Sequence, residues 1–194
     1  MSSTQNSTEQ ASTEQVSTEH NSTEQASYQV RFDWSTGGIV AIGADADVVV
    51  LVDAIDSGDP APDLAGVPAG AVVITASMPD AAAVAHWLLA HQQTTGTRII
   101  IAIIGVGARR PGGDIRFAVE DQLAAGAIIS HLTALGLDGT SPEAAAAEAA
   151  YTGLARAVAH LMTASVSALT SPVSPAGLRL DAARGAEDVK VIRR

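Results

Sequence analysis

From Tyr28 onward the chain alternates between short apolar runs and longer stretches of mixed polarity; before Tyr28 it does neither. Gln29-Val-Arg-Phe-Asp-Trp34 alternates in the manner of a strand, and Gly37-Gly38 breaks it. Asp47-Val-Val-Val-Leu-Val-Asp53 is a continuous, mostly β-branched apolar run closed by a carboxylate, the pattern of a central parallel strand buried on both faces. Asp56 to Pro68, rich in Asp, Gly and Pro, reads as a loop. Ala71-Val-Val-Ile-Thr75 and Arg98 to Ile104 read as further buried strands, the latter ending in the glycine-rich stretch Gly105 to Gly113.

Between these runs the period lengthens. Pro79-Asp80 opens a predicted helix through Ala90, on which Val84, Trp87, Leu88 and His91 share a face. Phe117 to Leu135 is predicted as a second helix, with Gly136 in the left-handed position just beyond its end. Ser141-Pro142-Glu143 starts a third: serine at the N-cap, proline in the first turn, an acid near the positive end of the dipole. That helix is expected to run through Ala-rich sequence to about Met162, with a last strand over Asp188-Val-Lys-Val-Ile192. Strands alternating with helices imply parallel pairing, so the expected fold class is α/β, a mostly parallel β-sheet sandwiched by helices, with ligands at the strands' carboxyl ends.

The first 27 residues follow a different rule. Asn6-Ser-Thr-Glu-Gln10, Ala11-Ser-Thr-Glu-Gln15, Val16-Ser-Thr-Glu-His20 and Asn21-Ser-Thr-Glu-Gln25 repeat with period five, which matches neither helix nor strand. The organisation expected is a disordered pentapeptide-repeat tail over 1–27 and a single domain over 28–194. The tail has no positive or apolar segment of a signal peptide. The longest strongly apolar run, Ile99 to Val106, is well short of the ~20 residues that span a bilayer.

Composition narrows the partners. The apolar residues are mostly Ala, Val, Ile and Leu, with only two each of Phe, Tyr and Trp, which suits Val/Ile strands covered by Ala-rich helices. A net charge of −10 argues against nucleic acid and anionic membranes, both of which need a basic face. The absence of cysteine removes disulfides and thiolate chemistry and fits a reducing compartment, so a cytoplasmic location is expected.

The candidate chemistry is acidic. Asp53 stands at the carboxyl end of the strongest strand, where a carboxylate can hold Mg²⁺ or cap a turn. Asp53-Ala-Ile-Asp56 spaces its acids D-x-x-D, not the D-x-D of haloacid dehalogenase-like phosphatases. Gly105-Val-Gly107 follows a strand, but Arg110 occupies the third glycine position of a dinucleotide fingerprint, so tight turning is the simpler role. No histidine pair has metal-ligand spacing, and no G-x-S-x-G serine-hydrolase motif is present. Glu120-Asp121 opens a helix one short loop from the crevice that Asp53 faces, either complementing the dipole or serving the site.

Gly107-Ala-Arg-Arg-Pro-Gly-Gly-Asp-Ile-Arg-Phe-Ala-Val-Glu-Asp-Gln-Leu-Ala-Ala-Gly-Ala-Ile-Ile129 resembles the 2-phosphosulfolactate phosphatase family, whose corresponding stretch has the form A-G-E-R-x-x-x-G-x-x-R-x-A-V-E-D-x-x-x-A-G-A. Asp47 to Asp53 is similar to that family's first buried strand, and Asp33-Trp34 with Gly37 to its opening D-W-G element. The resemblance implies a Mg²⁺-dependent phosphomonoester hydrolase of coenzyme M-type sulfonate metabolism. Asp53 and Glu120 would be catalytic, Asp53, Glu120 and Asp121 would hold the metal, and Arg116 and Gly107 would bind substrate. The sequence departs from the family after Asp53, where Ala-Ile-Asp-Ser-Gly-Asp replaces a D-V-L-R/S-x-S/T-T pattern. Ala108 stands where the family has glutamate, and Ala164-Ser-Val-Ser-Ala-Leu169 matches A-S-x-S-G-x-E-L in part. Two functions therefore stand: a weak or impaired phosphatase acting on a small anionic phosphorylated acid, and a non-catalytic descendant serving as a binding or assembly module. Homo-oligomerisation is left open by both.

Overall fold

A computed structural model describes residues 24–55, 60–110, 112–170 and 189–194. The repeat up to Thr23, the acids Asp56 and Asp59, and Asp188 of the expected last strand lie outside the described residues.

The chain forms β1 (Val30–Trp34), α1 (Ser35–Ile42), β2 (Val48–Val52), β3 (Val72–Ala76), a 3-10 turn (Met78–Asp80), α2 (Ala81–Thr95) and β4 (Ile101–Gly105). A small hairpin of β5 (Ala108–Arg109) and β6 (Ile115–Arg116) follows, then α3 (Val119–Ala134), α4 (Pro142–Gly153), α5 (Val158–Ala164), α6 (Val166–Thr170) and β7 (Lys190–Arg193). The main sheet has the order β1-β4-β2-β3-β7. The first four of these strands are parallel, and β7 joins the edge antiparallel to β3. This is the α/β sandwich expected from the pattern, with an antiparallel edge that strand–helix alternation did not imply.

The period of two along the strands divides the core. Val48, Val50 and Val52 pack with α2 and α3 through Val84, Leu88, Ile128 and Ile129. Val49 and Leu51 face the other way, against Ile39 and Ile42 of α1. A strand buried on both faces has no polar side to offer, hence its unbroken Val/Leu run. α3 packs along α4. The contact is close because Gly126 has no side chain: a Cβ there would lie 2.2 Å from the carbonyl oxygen of Ala147.

The caps at Ser141 and Gly136 match the sequence reading. The Ser141 hydroxyl accepts from the Ala144 amide with Pro142 in the first turn, and Gly136 has φ +87°. Three boundaries differ. Gly37 and Gly38 do not separate β1 from a loop but lie inside α1, which starts at once. The helix expected to reach Met162 ends at Gly153 and is followed by the separate α5. The Ala81 helix runs past Ala90 to a left-handed Gly96. Contacts of the domain also reach back before Tyr28. The Gln25 amide donates to the Phe32 carbonyl and accepts from the Phe32 N–H, both at 3.0 Å, so it pairs with the outer edge of β1 as a strand would.

Candidate functional site

The register brings the carboxyl ends of the parallel strands level. Trp34 and Val52 both pair with Gly105, and Val52 pairs with Ala76. β1 leaves this rim into α1, and β2 leaves into a loop whose Leu64 and Val67 also cover the α1 face. β4, between them, leaves towards α3 on the opposite face. Neighbouring strands whose connections part to opposite faces open a crevice, the usual ligand position in such sheets.

Asp53 follows β2 on this rim, exposed, with its amide bonded to the Ala76 carbonyl. The other two acids come from the first turn of α3 and are nearly sealed: Glu120 is 1% and Asp121 2% exposed. Asp121 ties the strand ends together. Its Oδ1 accepts from the Ala54 amide and its Oδ2 from the Gly107 amide, each at 2.8 Å. Burial, aided by the charges of Asp53 and Glu120, pushes its carboxyl up to about 7, while the two amides favour the ionised form. Asp53, Glu120 and Asp121 thus share one electrostatic neighbourhood, as the sequence placed them.

Glu120 contrasts with its neighbour. Neither carboxylate oxygen has a hydrogen-bond partner. The nearest cation is Arg116, whose Nη2 stands 3.9 Å from Oε1. That guanidinium is also anchored elsewhere, donating to the Ser167 hydroxyl at 2.7 Å and to the Phe117 carbonyl. A buried carboxylate without donors forfeits its hydration with no compensating bond, so its surroundings are incomplete as they stand.

The glycines of the rim serve packing and turning. A Cβ on Gly105 would lie 2.7 Å from the Trp34 ring, so that ring lies over β4. Gly107 has φ +71° and turns the chain into the β5–β6 hairpin, with its amide directed at Asp121. Gly107 therefore supports the acid rather than presenting a free amide to a ligand.

The fit to a metal is partial. Among the described residues no group of three or more His, Asp or Glu side chains is arranged to hold an ion. Asp121 has each oxygen on a backbone amide, neither Glu120 oxygen has a hydrogen-bond partner, and Asp53 adds a second, exposed carboxylate on the same rim. Mg²⁺ commonly takes one or two carboxylates and completes its shell with water and substrate phosphate, so these two suffice chemically.

The structure adds residues that the sequence did not single out. Phe117 is 59% exposed and lies against Trp34 with ring centroids 5.3 Å apart. Ser167 on α6 holds Arg116; its signal was the partial A-S-x-S match. Ser35 begins α1 with φ +56°, a conformation no pattern of polarity reveals. Among the described residues no helix is long and apolar enough to cross a membrane. No family model and no curated protein matches this sequence.

Proposed function

We propose that the crevice binds and slowly hydrolyses a small anionic phosphomonoester, in the manner of the 2-phosphosulfolactate phosphatase family that the Gly107–Ile129 stretch resembles. The observation that carries this reading is Glu120: a carboxylate 1% exposed, with neither oxygen partnered, at the carboxyl end of a parallel sheet. Asp53 and Glu120 would hold Mg²⁺. That ion, when bound, neutralises phosphoryl charge and lowers the pKa of water.

The chain's own residues do the rest. Asp121 fixes the ends of β2 and β4 in register through its two amide bonds, holding Asp53 on the rim. Its carboxyl, raised to about 7, is suited to exchange a proton at neutral pH. Arg116, braced by Ser167, places positive charge beside Glu120 and retains N–H donors for a phosphoryl or acid oxygen. Turnover is slow in this reading because the acidic sequence after Asp53 supplies no cation to position a doubly charged substrate.

The test combines rate and stability. Phosphate release from a panel of small phosphomonoesters, including (R)-2-phospho-3-sulfolactate, is measured with Mg²⁺ and with a chelator. Glu120→Gln should abolish Mg²⁺-dependent release and Mg²⁺-dependent thermal stabilisation. Release that ignores both chelator and substitution would sink the proposal. The Asp121 clamp favours a second reading, a non-catalytic binding or assembly module, since that acid is accounted for by the fold alone. No release from any substrate under any metal condition would select it.

A further inference from the structure

We infer that Phe117 and Trp34 form an aromatic wall at the crevice that selects phosphomonoesters whose ester group is an aromatic ring. The inference rests on the phosphomonoester reading above and names the class of substrate for that site. The chain contains only two Phe and two Trp. Three of those four stand in one row. Phe32 meets Trp34 edge-on with ring centroids 5.4 Å apart, and Trp34 meets Phe117 at 5.3 Å with planes tilted by 56°. The row climbs outwards from the core: Phe32 is 3% exposed, Trp34 is partly buried and Phe117 is 59% exposed.

The row ends beside the acids. Gly107 joins the two: its amide bonds to Asp121 Oδ2, and a Cβ on it would meet Ile115 Cγ2 at 3.1 Å and the Trp34 ring at 3.7 Å. Ile115, itself part-exposed, thus meets Trp34 at the turn that carries the Asp121 contact. Phe117 stands three residues before Glu120, and its carbonyl accepts from the Arg116 guanidinium that lies beside that acid. The rings and the unpartnered carboxylate therefore share one end of the sheet.

Charge leaves the ester group to be held by contact. The stretch after Asp53, Ala-Ile-Asp-Ser-Gly-Asp, carries acids and no cation, and Arg116 beside Glu120 serves the phosphoryl end. A second acidic group would be repelled there, whereas a neutral ring gains contact with apolar surface that water otherwise covers. Rings pack tilted or offset at centroid separations of roughly 4.5–7 Å, as this row already does, and such pairs contribute beyond the area they bury. An aromatic ester group continues the row by one member. An alkyl ester of the same charge gains less, because it offers no ring face.

The experiment titrates phenyl, cyclohexyl and methyl phosphate into the full-length protein with Mg²⁺, by isothermal titration calorimetry. Phenyl phosphate should bind about tenfold more tightly than methyl phosphate, and severalfold more tightly than cyclohexyl phosphate, which has the size without the ring face. Phe117→Ala should weaken phenyl phosphate by about tenfold and leave methyl phosphate unchanged, with little change in melting temperature because the side chain is mostly exposed. Phe117→Tyr should keep the native order. Equal affinity for the phenyl and cyclohexyl esters would overturn the inference, as would an order that survives Phe117→Ala. An Ala variant that weakens all three esters alike would make Phe117 merely structural and overturn it too. So would self-association that Phe117→Ala abolishes without any preference for the ring, which would assign the exposed side chain to a second copy. Hydrolysis is scored separately. Phenyl phosphate bound in the expected order but never hydrolysed upholds the wall and removes the phosphatase reading, whereas equal kcat/KM on all three esters does the reverse. No binding of any ester removes both.

Discussion

Replacing Asp121 with asparagine should remove a stability gradient that the native protein shows between acid and neutral pH. Its carboxyl is raised from 3.8 to about 7 by burial and by the Asp53 and Glu120 charges. Between those values the folded protein holds a proton that the unfolded chain has released. Stability from this group is therefore full below 3.8 and is lost as pH rises through about 7. From about pH 5 to about pH 8 the linkage amounts to roughly 2–3 kcal/mol. The substituted side chain cannot titrate, and its NH₂ would face one of the two amides now bonded to Asp121, at a pH-independent penalty of about 1–3 kcal/mol. Urea unfolding followed by tryptophan fluorescence across this range gives the native-minus-variant difference, in which other titrating groups cancel. That difference should shrink by about 2–3 kcal/mol towards pH 8. A constant difference would refute the reasoning. Asp53→Asn offers a milder check: with one repelling charge gone, the midpoint of the gradient should move to lower pH.

Two further outcomes follow from packing and charge. Gly126→Ala puts a Cβ 2.2 Å from the Ala147 carbonyl and 2.8 Å from the Tyr151 Cβ, so α3 and α4 must separate. A loss of about 2–3 kcal/mol, or roughly 5–10 °C in melting temperature, is expected by calorimetry. Asp45→Ala strips the carboxylate from Arg31, which is 1% exposed and, among the described residues, keeps the carbonyls of Tyr28, Ile42 and Ala26. Because the Asp45 side chain is 62% exposed, about 1–2 kcal/mol is expected by urea denaturation. The Arg31 hydrogen bond holds the Asp45 carboxyl below its ordinary 3.8, so this contribution is present above that value and fades as pH falls through the lowered one.

Local chemistry made much of the frame legible from sequence. Val48 to Val52 was legible as a strand buried on both faces, because it is apolar throughout and four of its five residues are β-branched. Ser141-Pro142-Glu143 announced a helix start through groups that act within one turn of each other, and Gly136 announced an end through a conformation that glycine adopts freely. Glu120-Asp121 and Asp53 were legible as acids near one crevice, since a strand's carboxyl end and the next helix's start lie on the same rim of a parallel sheet.

Tertiary structure decided what each of those acids does. Adjacent in sequence, Glu120 and Asp121 differ because Ala54 and Gly107, brought together by the insertion of β4 beside β2, present their amides to one and not to the other. The same holds at Ser35. Gly37-Gly38 reads as a break by propensity, yet Gly38 is needed where its helix meets Asp33, a Cβ there lying 2.8 Å from that residue's own. α1 forms because Ile39 and Ile42 have a sheet face to cover. Propensity and capping act between near neighbours and can be read along the chain. The partner of a buried polar atom is set by which distant strand ends meet, and only the folded sheet supplies that.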